Sequence, residues 1–238
     1  VDQAITEKTR AIFIAHTLGN PYDIDEIKEI AKLHNLWVIE DACDALGAEF
    51  DGRKVGTFGN VSTTSFYPAH LMAVGEGGMV FTDSPMIAKA VRSFRDWGRE
   101  CWCAPGKDNT CGKRFCQKEK GDLPDGFDHK YIYSHIGYNL KSTDLQAAIG
   151  LEQLKKLPDF IEDRQYNWEY LRDQFKARGL DKFFSLPTQL QKSKPAWFGF
   201  VLTIREVCKF DRNELVQYLE DKKIGSRNLF GGNLTKQP

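Results

Sequence analysis

The chain has 238 residues, 41% of them hydrophobic and 28% charged, with 33 Lys plus Arg set against 33 Asp plus Glu. That composition suits one large globular domain and part of another, and it excludes a disordered or fibrous protein. Zero net charge gives no long-range field for nucleic acid or an anionic membrane, no apolar run approaches the roughly 18 residues of a membrane span, and Val1-Asp2-Gln3 lacks signal-peptide character. A cytoplasmic protein with no nucleic-acid or membrane partner is expected.

The chain opens on a polar stretch without Met and stops at Gln237-Pro238, and it reads as a fragment. A strand is expected over Ala11 to Ala15. Ile24, Ile27, Ile30 and Ala31 then fall on one helical face behind a possible Asp23 cap, and the β-rich run Leu36 to Ile39 follows. Asp51-Gly52 marks a small hairpin, Val61 to Phe66 and Met79 to Thr82 read as strands, and Pro85 to Trp97 as a helix. Residues 98–136 hold four of the six cysteines without clear periodicity, and an irregular segment of that length is usually functional. Ser142-Thr143-Asp144 caps a helix to about Lys156, and Pro158 is placed to open a second one toward Gly179. A strand at Phe198 to Ile204 and a helix from Asp211 to Lys222 complete the reading.

Strands alternating with helices predict an α/β fold with a mostly parallel sheet flanked by helices, ligands lying beyond the carboxyl ends of the strands. Residues 1–157 are expected to form a large cofactor-binding domain, and 158–238 the start of a smaller α+β domain. Glu40-Asp41 closes a buried strand. An acid there is, taken alone, more often a cap, but Asp41 could also keep a pyridinium nitrogen protonated. Ser65-Phe66-Tyr67-Pro68-Ala69-His70 followed by Gly75-Glu76-Gly77-Gly78 offers a hydroxyl, a base and a glycine turn able to approach a phosphate. A lone histidine is more often a satisfied structural imidazole.

Four blocks together carry a resemblance: Glu40 to Gly47, Ser65-Phe66 with Gly75 to Gly78, Phe94 to Arg99, and Gly137-Tyr138-Asn139-Leu140 with Thr143-Asp144 and Gln146-Ala147-Ala148. In this order they resemble the nucleotide-sugar aminotransferase family of fold type I, over nearly all of the chain. The resemblance implies a vitamin B6 cofactor whose ring nitrogen pairs with Asp41 and whose phosphate is bound by Ser65. It also implies that Asn139 reaches the cofactor phosphate of a neighbouring subunit, hence a homodimer. Aminotransferases of the family carry their Schiff-base lysine four residues after the phenylalanine, and this sequence has His70 there. An imidazole forms no stable Schiff base but serves as a general base near neutral pH. The pattern resembles the family's 3-dehydratase branch, which uses pyridoxamine 5'-phosphate (PLP/PMP) to remove the C3 hydroxyl of a 4-keto-6-deoxy sugar. Relatives often have a second histidine next, where this chain has Leu71, so the base is assigned to His70 alone. Asp44, where aminotransferases usually have glutamine, is expected near the ring's 3-oxygen.

Fifty-seven residues separate Cys43 from Cys101, one separates Cys101 from Cys103, and seven separate Cys103 from Cys111. By spacing alone four thiolates suit structural zinc or a [2Fe–2S] cluster, zinc being the more usual. The spacing is similar to that of the iron–sulfur branch acting on a CDP-4-keto-6-deoxyhexose, in which a flavin/iron–sulfur reductase would deliver single electrons to complete a 3,6-dideoxysugar. Cys43 is two residues from Asp41, about 7 Å in extended chain, where an electron carrier has more reason to be than a structural zinc. Cys116 and Cys208 are read as spare thiols, Cys116 being an alternative to Cys111. A cluster-free dehydratase or aminotransferase of the same fold, and a non-catalytic zinc-binding relative, are the competing readings.

Overall fold

A computed structural model describes residues 1–104, 106–115 and 121–238. Cys116 lies outside them. Strands β1 (Ala11–Ala15), β2 (Trp37–Asp41) and β5 (Val61–Ser65) run parallel, and β6 (Gly78–Phe81) pairs antiparallel with β5, in the order β1-β2-β5-β6. The register sets Ala15 beside Asp41 and Asp41 beside Thr63, so the carboxyl ends of three strands open on one edge. Between β1 and β2 runs α1 (Ile24–Leu33), started by the Asp23 carboxylate, which accepts the Glu26 N–H at 3.1 Å. Its Ile27 and Ala31 pack with Ile12 and Val38.

Strand alternation separates the two acids at the end of β2. Asp41 is half-buried, whereas Glu40 is fully buried. The Glu40 carboxylate accepts N–H groups of Gly56 (2.8 Å), Phe58 (2.7 Å) and Gly59 (2.5 Å), and it lies 3.0 Å from His16 Nε2. The His16 ring stacks on Tyr22 at 4.3 Å. The expected hairpin joins β3 (Glu49–Phe50) to β4 (Arg53–Lys54) through Asp51 and Gly52, both at positive φ as such a two-residue turn requires, and β3 also pairs with β8 (Ser193–Lys194).

Helix α2 (Pro85–Arg95) ends two residues earlier than the sequence suggests. Trp97 and Gly98 take positive φ, and the Trp97 N–H donates to Tyr138 O at 2.7 Å, drawing the chain across the 133–139 segment. Gly98 and Gly137 let the backbones cross, since a Cβ on either would overlap main-chain atoms of the other strand. Helix α3 is one element, Asp144–Ala177, with Pro158 inside it, so the two helices expected there are a single one. Pro158 removes the N–H that would bond the Leu154 carbonyl and crowds that carbonyl, yet the helix continues through it.

The chain divides into two compact units, Val1–Tyr166 with Gln189–Gly199, and Asn167–Thr188 with Phe200–Pro238. In the second, β7 (Phe184–Ser185) pairs with β9 (Thr203–Ile204), and α4 (Arg212–Asp221) begins at a reciprocal Asp211/Glu214 cap. Only Thr203–Ile204 of the strand expected from Phe198 onward forms. Among the described residues no helix is long and apolar enough to cross a membrane.

Candidate active site

The carboxyl ends of β2 and β5 bring together Asp41, Asp44, Ser65 and the turn that carries His70. Asp41 Oδ1 accepts the Cys43 N–H at 3.0 Å, an Asx-type turn that bends the chain away from the sheet immediately after the strand. The bend returns Asp44 to the site, where its Oδ2 accepts the Leu18 N–H at 3.2 Å and its Oδ1 stands 3.3 Å from His70 Nδ1. Burial pushes the Asp44 carboxyl up, against the Leu18 bond and the His70 ring, which hold it down.

Ser65 ends β5, and its Oγ accepts the Tyr67 N–H at 3.1 Å. The Phe66 N–H bonds Gly77 O and the Val74 N–H bonds Phe66 O, closing a loop around residues 67–73. Within it the His70 N–H donates to Tyr67 O, and the ring lies 6.0 Å from that of Tyr67 and 5.6 Å from that of Phe198. His70 Nδ1 is buried and, although in ion-pair range of Asp44, makes no hydrogen bond of good geometry. Asn139 is exposed on the 133–139 crossing, bridged to Asp96 and accepting from Lys141 Nζ at 2.7 Å, and its contacts are there rather than with the Asp41–His70 group.

The sequence offered no signal for Leu18 or Phe198. Leu18 reaches Asp44 only because it adopts φ 58, and Phe198 reaches His70 from the far end of the chain. Arg164 of α3 fixes the latter segment, Nη1 donating to the Trp197 and Phe198 carbonyls at 3.2 and 3.0 Å.

These donors fit a vitamin B6 cofactor. Asp41 pairs with Thr63, and Ser65 is two residues further along the adjacent strand, so their Cα atoms are about 8 Å apart by strand geometry, a span suited to a pyridine ring with a phosphate arm. The buried, unbonded Nδ1 of His70 is a further mark of a site built for more than packing.

The cysteines are not arranged as their spacing suggested. Cys101, Cys103 and Cys111 line one cavity of about 350 Å³ with Trp97, Arg99 and His129, and Cys111 Sγ is 3.8 Å from His129 Nδ1. The Thr110 hydroxyl, then bonds from Cys111 and Cys101, lower the Cys103 thiol to about 7. Cys43 does not line that cavity; burial, then the Asp41 carboxylate, push its thiol up to about 12, with Asp44 adding to the rise and a bond with Thr63 opposing it. Among the described residues no three or more His, Cys, Asp or Glu side chains stand close enough to hold a metal ion. Among those residues Cys43, Cys101, Cys103 and Cys111 do not form such a group, and Cys116, the alternative ligand, lies outside them.

The sequence model of the DegT/DnrJ/EryC1/StrS aminotransferase family matches residues 1–238. The lipopolysaccharide biosynthesis protein RfbH of Salmonella typhimurium is 54% identical over the whole chain, which covers 54% of that protein. The dTDP-4-dehydro-2,6-dideoxy-D-glucose 3-dehydratase of Saccharopolyspora spinosa is 53% identical, again over the whole chain and 51% of that protein. Among solved structures, the E. coli GDP-4-keto-6-deoxy-D-mannose-3-dehydratase with bound hydrated PLP superposes with a TM-score of 0.82 at 33% identity, over 99% of this chain and 57% of that one. The chain thus spans about half the length of the relatives it matches, and its fold is that of the fold type I PLP-dependent enzymes.

Proposed function

The chain belongs to the DegT/DnrJ/EryC1/StrS aminotransferase family, and on that premise we propose that it is the cofactor-binding part of a pyridoxamine phosphate-dependent 3-dehydratase acting on a nucleotide-linked 4-keto-6-deoxyhexose. The observation that supports this most directly is His70 in the lysine position, its Nδ1 beside Asp44 and its ring held between Tyr67 and Phe198. No amine is available there for a Schiff base, and an imidazole is.

When bound, pyridoxamine phosphate supplies an amine that condenses with the sugar's keto group and a ring that accepts electrons. Asp41 keeps the ring nitrogen protonated, because an adjacent carboxylate favours the charged form. Ser65 and the backbone of the Gly75–Gly78 turn bind the phosphate, with Asn139 of a second copy reaching the same group in a homodimer. His70 would take the proton released at the cofactor's C4′ carbon and return it to the C3 hydroxyl, which would then depart as water. Asp41→Asn should therefore slow the reaction far more than it weakens cofactor binding, whereas Ser65→Ala should raise the cofactor Kd while sparing the loaded enzyme. Rates and cofactor titrations on both variants check this, and matching profiles would refute the separate roles.

The CDP nucleotide and the electron-delivery branch are the finer part of the reading. Among the described residues the four cysteines do not stand together as a [2Fe–2S] site. Three thiols on one cavity nevertheless keep a redox role in view as the second reading, with a flavin/iron–sulfur reductase as partner. Anaerobically purified protein decides between them. Two irons and two acid-labile sulfides per chain establish the cluster, one zinc a structural site, and neither metal the cluster-free 3-dehydratase.

A further inference from the structure

Leu18 stands in the left-handed region (φ 58, ψ 27), a conformation that strains a non-glycine residue and persists only where the surroundings impose it. Its surroundings do. The Leu18 and Gly19 carbonyls accept the N–H groups of Phe198 and Ala196 at 2.8 and 2.9 Å, and a Cβ on Gly19 would come within 2.7 to 3.0 Å of the Trp197 and Phe198 nitrogens and the Asp44 carbonyl. The imposed conformation aims the Leu18 N–H at Asp44 Oδ2. With that oxygen held, Oδ1 faces His70 Nδ1 at 3.3 Å, while the same backbone contact seats the Phe198 ring against His70. Among the described residues the titratable groups placed against the imidazole are Asp44 and, edge-on at 6.0 Å, Tyr67, and the Asp41 carboxylate raises Asp44 in turn.

Nδ1 is buried and Asp44 is the acceptor in reach, so a tautomer with a bare Nδ1 would set its lone pair against a carboxylate. We propose that Asp44 is a positioning residue that keeps the proton of His70 on Nδ1 and leaves Nε2 as the basic nitrogen, with Leu18 as the clamp that holds the carboxylate to this task. The proposal rests on the reading of His70 as the base, and it gives Asp44 a role exerted through His70 rather than on the cofactor ring. A carboxylate oriented by one partner commonly fixes the tautomer of a catalytic imidazole in this way. Burial pushes the Asp44 carboxyl up, so the fold itself gains little from a charge here.

The test reads the tautomer directly, by long-range ¹H–¹⁵N NMR of the full chain, the His70 signals being assigned by their loss in His70→Asn. Wild-type protein should show Nδ1–H. In Asp44→Asn the Leu18 N–H still requires an oxygen, which turns the amide NH₂ toward His70 and should invert the ring to Nε2–H. Hydrogen exchange at C4′ should then fall by about 10² to 10⁴, the worth of a general base, with pyridoxamine phosphate affinity kept within about threefold. Asp44→Ala, which offers Nδ1 no partner, should populate both tautomers. The same tautomer in wild type and both variants would overturn the proposal. Because the tautomer is read without turnover, that result would leave the base assignment standing, whereas unchanged C4′ exchange in His70→Asn would remove the base and leave the Asp44–His70 pairing intact.

Discussion

Replacing His70 with asparagine is expected to lower dehydration, and exchange of one C4′ hydrogen with solvent, by about 10² to 10⁴, the usual worth of a positioned general base. Cofactor affinity should change little, because Ser65 and the Gly75–Gly78 turn, not the imidazole, are assigned to the phosphate. Asparagine keeps a planar polar group between Tyr67 and Phe198, and the loop is closed by the Phe66 and Val74 backbone bonds, which do not involve residue 70, so it should hold its shape. His70→Lys should return an amine to the position where aminotransferase relatives have theirs. It is expected to bind pyridoxal phosphate covalently, giving a yellow species fixed by borohydride, without transamination necessarily following. If His70→Asn retained full exchange and full dehydration, the base would have to be another residue and the dehydratase reading would lose its support.

Much of the fold was legible because its signals are local. Asp23 before an apolar stripe, Asp51-Gly52 between two short strands, and an acid after a buried β run each state their conformation within a few residues. What stayed hidden depends on distant backbone. Leu18 has no side-chain property that marks it as a clamp, and its φ is set by carbonyl bonds to Ala196 and Phe198. The strand expected from Phe198 fails at its start for a related reason: Arg164 and Leu18 take the peptide groups that a ladder would use. Pro158 misled because proline usually opens helices, yet one lost hydrogen bond is a small fraction of a helix of 34 residues. Glu40 and Asp41 close the same strand, and period-two alternation sends their side chains to opposite faces.

Glu40→Ala should cost about 3 kcal/mol or more of unfolding free energy, since each buried donor left without its acceptor costs about 1 to 3 kcal/mol. The change leaves His16 and the N–H groups of Gly56, Phe58 and Gly59 without their acceptor in the interior. Glu40→Gln is no rescue. Its amide oxygen can serve Phe58 and Gly59, which share Oε1, but its NH₂ then meets the Gly56 N–H, donor against donor. Burial alone would raise the Glu40 carboxyl, and the bonds from His16, Gly59, Gly56 and Phe58 more than reverse that, holding it below the ordinary carboxylate range. A carboxyl lowered in the folded state contributes stability that is present above its unfolded pKa and lost as pH falls through the folded one. Wild-type stability should therefore decline on the acid side, and Glu40→Gln should remove that part of the slope. Urea unfolding from pH 7 down to about pH 3 measures both effects. A wild-type midpoint and slope in the glutamine variant would show that the buried carboxylate does not anchor β2. The anchor matters to the site because Glu40 facing inward is what leaves Asp41, one residue on, facing the cofactor edge, so Glu40→Ala protein that still folds should bind pyridoxamine phosphate more weakly although residue 40 touches none of it.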